Sequence, residues 1–323
     1  MSLLLHRSHR AETLAELLCG VLSARWPDDP FERVPIVVGS RGMERYLRHE
    51  IATRTGIAAG LAFPFPRPAF AGATRWLIDG AVEARAEFWE LGEQPHKAAA
   101  RFEREAMAFR LVEQLRQHMA EPGFEHVRRY LEHGAPQAVD HGPVTARELM
   151  FARDVADVLD RLMHDRPDDA LTWARAPEKA NSEHRWLAVL LQGLDVAQDA
   201  ASPARGFEAL RASTLAPTQR TLCVFGLSTL GPGDRARLAA IARSVDVHLF
   251  VLAPTRQWFV DQRTRDERRH AVRNAKNAGQ LELLELEEHQ DNPIVAALGA
   301  PSRDLQSWLE ETGYAADDDA FEL

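Results

Sequence analysis

Lysine is almost absent. Only Lys97, Lys179 and Lys276 occur in 323 residues, the other basic side chains being arginine, and this scarcity excludes two catalytic classes. A P-loop needs Gly-Lys-Ser/Thr, because the backbone cradles phosphate while the lysine reaches the outer groups. The residues before the three lysines are His96, Glu178 and Ala275. A nuclease of the Asp…Glu-x-Lys type needs Glu two places before a lysine, where this chain has Pro95, Pro177 and Asn274. Cysteine is scarcer still. Cys19 and Cys223 each lie in an apolar stretch, too few for a disulfide framework or a four-ligand zinc site, and they predict a reducing, cytoplasmic setting. The thirteen histidines contain no His-Glu-x-x-His pair, and His6 and His9 read as loop or surface residues rather than ligands. No apolar run approaches 18 residues, and Met1 to Arg7 places its apolar residues ahead of its cations, so neither a membrane span nor an export signal is predicted. Excess positive charge is missing too. At a formal −9 the chain cannot hold nucleic acid or anionic lipid by bulk charge, which leaves only a local basic groove for such a role.

What remains is ordinary globular material, 45 % hydrophobic and 27 % charged, long enough for two domains. Ser2 to Leu5 reads as a strand. It runs through His6-Arg-Ser-His-Arg10 into a helical pattern of Leu14, Leu17, Leu18, Val21 and Leu22 that stops at Pro27-Asp-Asp-Pro30. Pro35 to Val38 is a second strand, ending in Gly39-Ser-Arg-Gly42 before a helix with Tyr46, Leu47 and Ile51 inward. Alternation of strand and helix predicts a parallel sheet. Phe63-Pro-Phe-Pro66 is extended by necessity, since each proline fixes its own φ and biases its predecessor away from the helical region.

From about residue 97 the period becomes 3.6, with Phe102, Ala106, Phe109, Val112, Leu115 and Met119 on one face, and later Leu149, Ala152, Val155, Leu159 and Leu162. Strands return at Thr221 to Phe225 and Val245 to Val251, separated by a helix through Leu238 and Ile241. The expected organisation is therefore a first α/β portion over 1–96, a helical subdomain over 97–215, a return to the α/β domain over 216–255, and a further segment over 256–323. That segment holds an acidic stretch at Leu281 to Glu288, a helix near 293–311 and a tail from Asp317 to Leu323; it closes no domain and reads as cut from a longer chain.

Four groups of residues carry candidate chemistry. Gly39 to Gly42, between strand and helix, has the shape of an anion site, which a tight turn explains equally well. Asp157 and Asp160 lie opposite the apolar stripe of their helix with Arg161 and His164, the usual place for solvated surface; two carboxylates there could also accept from base amino groups or hold a metal, with no third ligand evident. Arg166-Pro167 ends that helix with a guanidinium. Gly226-Leu-Ser228-Thr-Leu-Gly231 is a near miss to a nucleophile elbow, and with His248 or His270 as base and Asp246 or Asp261 as orienter it permits a serine hydrolase to be drawn, although Ser228 serves equally as a turn or cap. Phe63, Phe65 and Phe70 near Arg67 and Arg75 could stack bases and hold phosphates, or simply pack a core around prolines.

In collinear order, several segments resemble the RecC family, the gamma subunits of exodeoxyribonuclease V (RecBCD). They are Asp29-Pro-Phe31, Val38-Gly-Ser-Arg-Gly-Met43, Gly56-Ile-Ala-Ala59 leading to Phe63-Pro-Phe-Pro66, Ala156-Asp-Val-Leu-Asp160 leading to Arg166-Pro-Asp168, Phe225 to Pro232, and Asn292 to Gly299 with Arg303-Asp304. The resemblance implies a RecA-like, superfamily-1 helicase fold whose ATP site is inactive. His6 to Arg10 stands where a working relative has its Gly-rich loop, and the strand ending at Phe225 carries no acid for magnesium. It further implies a non-catalytic DNA-channel and scaffold subunit, with ATP and Mg held by RecB-like and RecD-like partners and none in this chain. Such a subunit engages forked duplex and threads the 3′-ended strand through a channel that scans for Chi. The DNA-facing residues implied by matching positions are Arg41, Arg45 and Arg166 for phosphate or base edges, Phe65 for stacking, and Asp157 and Asp160 for base amino groups. This chain departs from the family by Gly39, Arg41 and Arg45 in place of amide-type residues and by Ala71 in place of an aromatic. A purely architectural α/β protein is the other reading that the sequence leaves open.

Overall fold

The structure, a computed structural model, describes residues 3–26, 33–78, 99–132, 143–213, 220–277, 292–312 and 316–319. Asp29-Pro-Phe31 and the acidic stretch at 281–288 lie outside the described residues, as does the end of the tail beyond Asp319. In chain order the elements are β1 (Leu3–Ser8), α1 (Ala11–Ala24), β2 (Val34–Val38), α2 (Arg41–Thr55), β3 (Leu61–Ala62) and α3 (Pro66–Ile78). Helices α4 (Arg104–His118), α5 (Glu125–Glu132), α6 (Ala146–Asp165), α7 (Pro167–Arg175), α8 (Arg185–Gly193) and α9 (Pro203–Ala212) follow. Then come β4 (Thr221–Phe225), α10 (Pro232–Ile241), β5 (Asp246–Leu252), α11 (Arg265–Asn277), α12 (Pro293–Gly299), α13 (Arg303–Thr312) and β6 (Ala316–Asp319). None of the described helices is long and apolar enough to cross a membrane.

Two compact units divide the chain. The first comprises residues 1–66, 217–230 and 242–323, and the second 67–216 and 231–241. In the first, the strands form one sheet of order β3-β2-β4-β5-β1-β6 in which every pairing is parallel, with Leu5 opposite Leu249 and Val37 opposite Val224. All five residues of β2 are buried. A strand covered on both faces loses the polar alternation of an exposed one, which is why Val34 to Val38 reads as a continuous apolar run. On one face Leu14, Leu18 and Leu22 of α1 and Leu47 and Ile51 of α2 pack against Ile36, Cys223, Phe225 and Phe250. Each such leucine contributes on the order of 1.5–3 kcal/mol by leaving water. The thiol of Cys223, fully enclosed in this core, is pushed up to about 12 by burial.

The second unit is helical around a core that includes Met107, Leu111, Leu115, Phe124, Leu159, Met163 and Leu190. Thr145 caps α6 in a reciprocal box with Glu148, and Arg116 of α4 donates twice to the same carboxylate at 2.8 and 3.0 Å. Burial raises the Glu148 carboxyl, but the Arg116 and Thr145 bonds outweigh it and hold the group below its usual range.

Three sequence expectations change here. The α4 face is Met107, Ala108, Leu111, Val112 and Leu115, while Phe109 is 64 % exposed. Phe102, Val112, Leu115 and Met119 are buried as the period predicts, although a separate 3-10 turn at Ala99–Phe102 precedes α4 and the counted Phe109 falls off the buried face. The helix expected near 293–311 is two helices broken at Ala300–Ser302, where Pro301 removes a donor. His6 is not a loop residue: it sits in β1, 5 % exposed, 3.0 Å from the His248 ring of β5 and stacked on Phe250.

Candidate nucleic-acid interface

Because every strand is parallel, all carboxyl ends in the first unit emerge at one edge, the edge where open α/β sheets place ligands. From β1 the chain enters α1 through His9 and Arg10 alone. From β2 it passes Gly39 and Ser40 into α2; the Ser40 hydroxyl accepts from the Met43 amide at 3.1 Å, so the first turn of α2 already has one internal acceptor. Gly39 is tightly packed: a Cβ there would stand 3.1 Å from Leu227 Cδ2, which would have to give by a few tenths of an ångström. Arg41 and Arg45, one helical turn apart, are both exposed and have no ion-pair partner among the described residues. At the neighbouring strand the Val38 amide donates to the Pro64 carbonyl, holding the proline segment extended beside β2. Phe63 lies inward beneath the Arg48 guanidinium, 4.7 Å away, while Phe65 is 42 % exposed.

Ser228 follows β4 on this edge, after Gly226, whose φ of +67° favours glycine. Of the partners drawn for a hydrolase triad, His270 lies exposed on α11 and the others are engaged elsewhere. His248 is buried in β5 against His6, Asp246 pairs with Arg25 at 3.1 Å, and Asp261 accepts from the Trp258 indole. No helix starts directly after the serine either, α10 beginning only at Pro232.

Asp157, Asp160 and Arg166 belong to the second unit, along α6. Asp160 is not solvated surface: it is 7 % exposed, accepts from Arg67 Nη1 at 2.6 Å and lies 3.3 Å from His164 Nδ1. Burial pushes its carboxyl up, yet His164 and then Arg67 overcome that and keep it below the normal aspartate range. Asp157 is half-buried between Arg104 at 2.8 Å and Arg161 at 2.6 Å. Arg166 is exposed at the junction where α6 ends and Pro167 opens α7. Phe70, read from sequence as a possible base stacker, is wholly buried in α3 and unavailable.

Beside the Arg67–Asp160 pair a cavity of about 430 Å³ is lined by Arg67, Ala71, Thr74, His164, Asp234 and Arg237. Burial raises the Asp234 carboxyl despite Arg237 at 3.3 Å, and burial lowers Arg237, whose guanidinium also donates to the His164 carbonyl at 2.9 Å. Sequence reading missed Asp234 and Arg237. Their signal was a charged pair three apart behind Gly233, a residue that the approach of α10 to the His164 carbonyl makes obligatory. Among the described residues no cluster of three acidic, histidine or cysteine side chains could hold a metal.

Comparison with known proteins gives one consistent answer. Residues 3–322 match the family model described as RecC, N-terminal domain. The chain is 26 % identical to the RecBCD enzyme subunit RecC of Escherichia coli K12 over 98 % of its length and 29 % of that protein. It is 24 % identical to the subunit of the same name in Haemophilus influenzae, over 94 % of the chain and 30 % of the relative, and 27 % identical to that in Mycolicibacterium smegmatis, over 96 % and 26 %. The chain therefore spans less than a third of the curated relatives that it matches.

Proposed function

The chain belongs to the RecC N-terminal domain family, and from that premise we propose that it is a non-catalytic DNA-channel and scaffold subunit of a RecBCD-type helicase and exonuclease acting in recombinational repair of double-strand breaks. Its partners are RecB-like and RecD-like motor subunits and forked DNA, whose 3′-ended strand it guides and scans for a Chi-type signal. The first unit is read as a superfamily-1, RecA-like core that has lost its ATP site. An all-parallel sheet in which the late strands β4 and β5 lie between β1 and β2 supports that reading.

The observation that carries the proposal is the carboxyl edge of this sheet. A motor would wrap phosphate there with a glycine-rich loop about eight residues long. Here β1 reaches α1 through two residues, one of them arginine, and β4 is followed by Gly226 rather than an acid. The same edge presents Arg41, Arg45 and Phe65 to solvent instead. Two guanidinium groups and an exposed ring suit a strand's phosphates and bases. In the second unit, Asp160 acts by orienting Arg67 and Asp157 by orienting Arg104, since both carboxylates are already engaged by those arginines.

The test is reconstitution with RecB- and RecD-type subunits, followed by photocrosslinking from position 65 to a fork with a 3′ tail. Assembly with crosslinking to the 3′-ended strand supports the proposal. A protein that ignores both the partners and the fork rejects it. Assembly whose strand binding is unaffected by alanine at Arg41 and Arg45 favours the purely architectural reading.

A further inference from the structure

The chain carries −9 overall, yet residues 256–276 hold seven lysines and arginines against three acids, a local +4. This stretch contains Trp258, Arg263 and the whole exposed face of α11. Residues 265, 269 and 273 are spaced at i, i+4 and i+8, so Arg265, Arg269 and Arg273 follow one side of the helix over about 12 Å. All three are exposed.

Ordinarily such a run is neutralised by its own acids. Here those acids are spent on holding the helix in place. Asp261 accepts from the Trp258 indole N–H at 2.5 Å. Glu267 closes a capping box with Thr264 and takes both Arg303 Nη atoms, at 2.6 and 3.1 Å, an arrangement that holds its carboxyl at about 2. Arg303 is itself buried and also donates to the Ala296 carbonyl, and the Asn292 amide donates to Gln262 just ahead of α11. The first turn is thus clamped to α12 and α13. Among the described residues only Asp266 faces the stripe, 3.6 Å from Arg269 with both side chains more than three-quarters exposed, a pairing of little strength. Arg265 and Arg273 have no ion-pair partner among the described residues.

We propose that the Arg265–Arg269–Arg273 stripe of α11 is a sequence-independent contact for the phosphodiester backbone of DNA, separate in sequence from the channel residues at Arg41, Arg45 and Phe65. Guanidinium groups on a fixed helix bind phosphate by bidentate hydrogen bonds and release its counterions, which requires no base reading. Trp258 is 49 % exposed with its N–H engaged, so its ring is free to stack on an unpaired base. This deepens the proposed function, on which it rests.

The experiment measures binding of the full 323-residue chain to a labelled single strand and to a duplex of equal length between low and moderate salt. It compares wild type, the triple variant Arg265→Gln/Arg269→Gln/Arg273→Gln, Arg273→Gln alone, and Arg41→Gln/Arg45→Gln. If the stripe contacts phosphate, the triple variant lowers the slope of log K against log salt by about 2 on single strands or about 2.7 on duplex, and Arg273→Gln lowers it by about a third as much. The strand form with the larger loss identifies the natural ligand, and Trp258→Ala weakens only the single-strand arm. An unchanged slope in the triple variant, with a loss in the Arg41/Arg45 variant, overturns this inference and leaves the proposed function standing. The reverse result supports the inference and removes the channel assignment. Unchanged DNA binding by the triple variant overturns the inference. Absence of salt-dependent binding by wild type overturns both.

Discussion

The Arg67 guanidinium donates to the Asp160 carboxylate at 2.6 Å and thereby ties α3 to α6. Asp160 is depressed below its ordinary value, burial opposing the shift and His164 and Arg67 prevailing. A depressed carboxylate contributes stability above its unfolded pKa, about 3.9, and loses it as pH falls through the folded value. Arg67 is nearly half exposed, so the contribution is screened to about 1–2 kcal/mol. Urea unfolding should show Asp160→Asn weaker than wild type by that amount at pH 6, the difference shrinking as the pH falls below about 3.9. A constant difference across that range would assign the effect to packing instead.

Gly233 makes the sharpest steric demand in the helical unit. A Cβ there would come 1.8 Å from the His164 carbonyl oxygen, and a backbone atom cannot swing aside as a side-chain end can. Gly233→Ala should cost about 2–3 kcal/mol or more. Gly20, inside α1 with open space around its Cβ position, should gain about 0.5–1 kcal/mol on the same change. Paired thermal melts check both; a Gly233→Ala protein as stable as wild type would mean that α10 can withdraw from α6 freely.

How much of this could be read from sequence depended on whether the deciding neighbour was local. The parallel sheet followed from strand and helix alternation, whereas the outward Phe65 and the inward Phe63 are told apart only by their tertiary neighbours, the Arg48 guanidinium lying over the Phe63 ring. Asp160 was misplaced because a single apolar stripe assigns one buried face per helix. Helix α6 is covered on a second side by Arg67, ninety-three residues away in sequence. His6 and His248 were invisible as a pair for the same reason, their meeting being set by the register of β1 on β5. Residue types alone made Ser228 resemble a nucleophile; only the sheet shows that one of its two drawn bases, His248, is enclosed against His6.

Glu267 anchors α11 to α13 through Arg303 and to its own first turn through Thr264. With the carboxyl held at about 2, this anchor is present above the usual glutamate range near 4.3 and fades as pH approaches 2. Glu267→Gln removes the charge at every pH and should free the helix end at neutrality. Limited trypsinolysis at pH 7 should cleave after Arg265 to Arg273 several-fold faster than in wild type, with global unfolding changed by only about 1 kcal/mol. Equal cleavage rates would show that packing, not the ion pair, holds α11.

Phe65 projects from the carboxyl edge without a packing role on its exposed side. Replacing it with alanine should leave the melting temperature within about 1 °C while lowering single-strand affinity by about 1–3 kcal/mol, the usual worth of one stacked base. Anisotropy titration at fixed low salt separates this from the arginines, because a stacking loss leaves the salt slope unaltered. A slope that changes with Phe65→Ala would mean that the ring positions Arg41 or Arg45 rather than a base.

The proposed loss of nucleotide binding rests on the two-residue passage from β1 to α1. Triphosphate recognition at such an edge needs several consecutive backbone amides turned toward the ligand and a lysine reaching past them. His9 and Arg10 cannot form that concavity, and the Arg10 amide is already directed to the Ser8 hydroxyl at 3.1 Å. A ligand at a hundred times its Kd would stabilise the folded state by about 2.7 kcal/mol, a rise of roughly 5–10 °C for a unit of this size. Millimolar ATP with magnesium should therefore shift the melting temperature by less than about 0.5 °C, and the same should hold after Arg10→Gly. A rise of several degrees that Arg10→Glu abolishes would place triphosphate beside β1 and return the chain to the class of working motors.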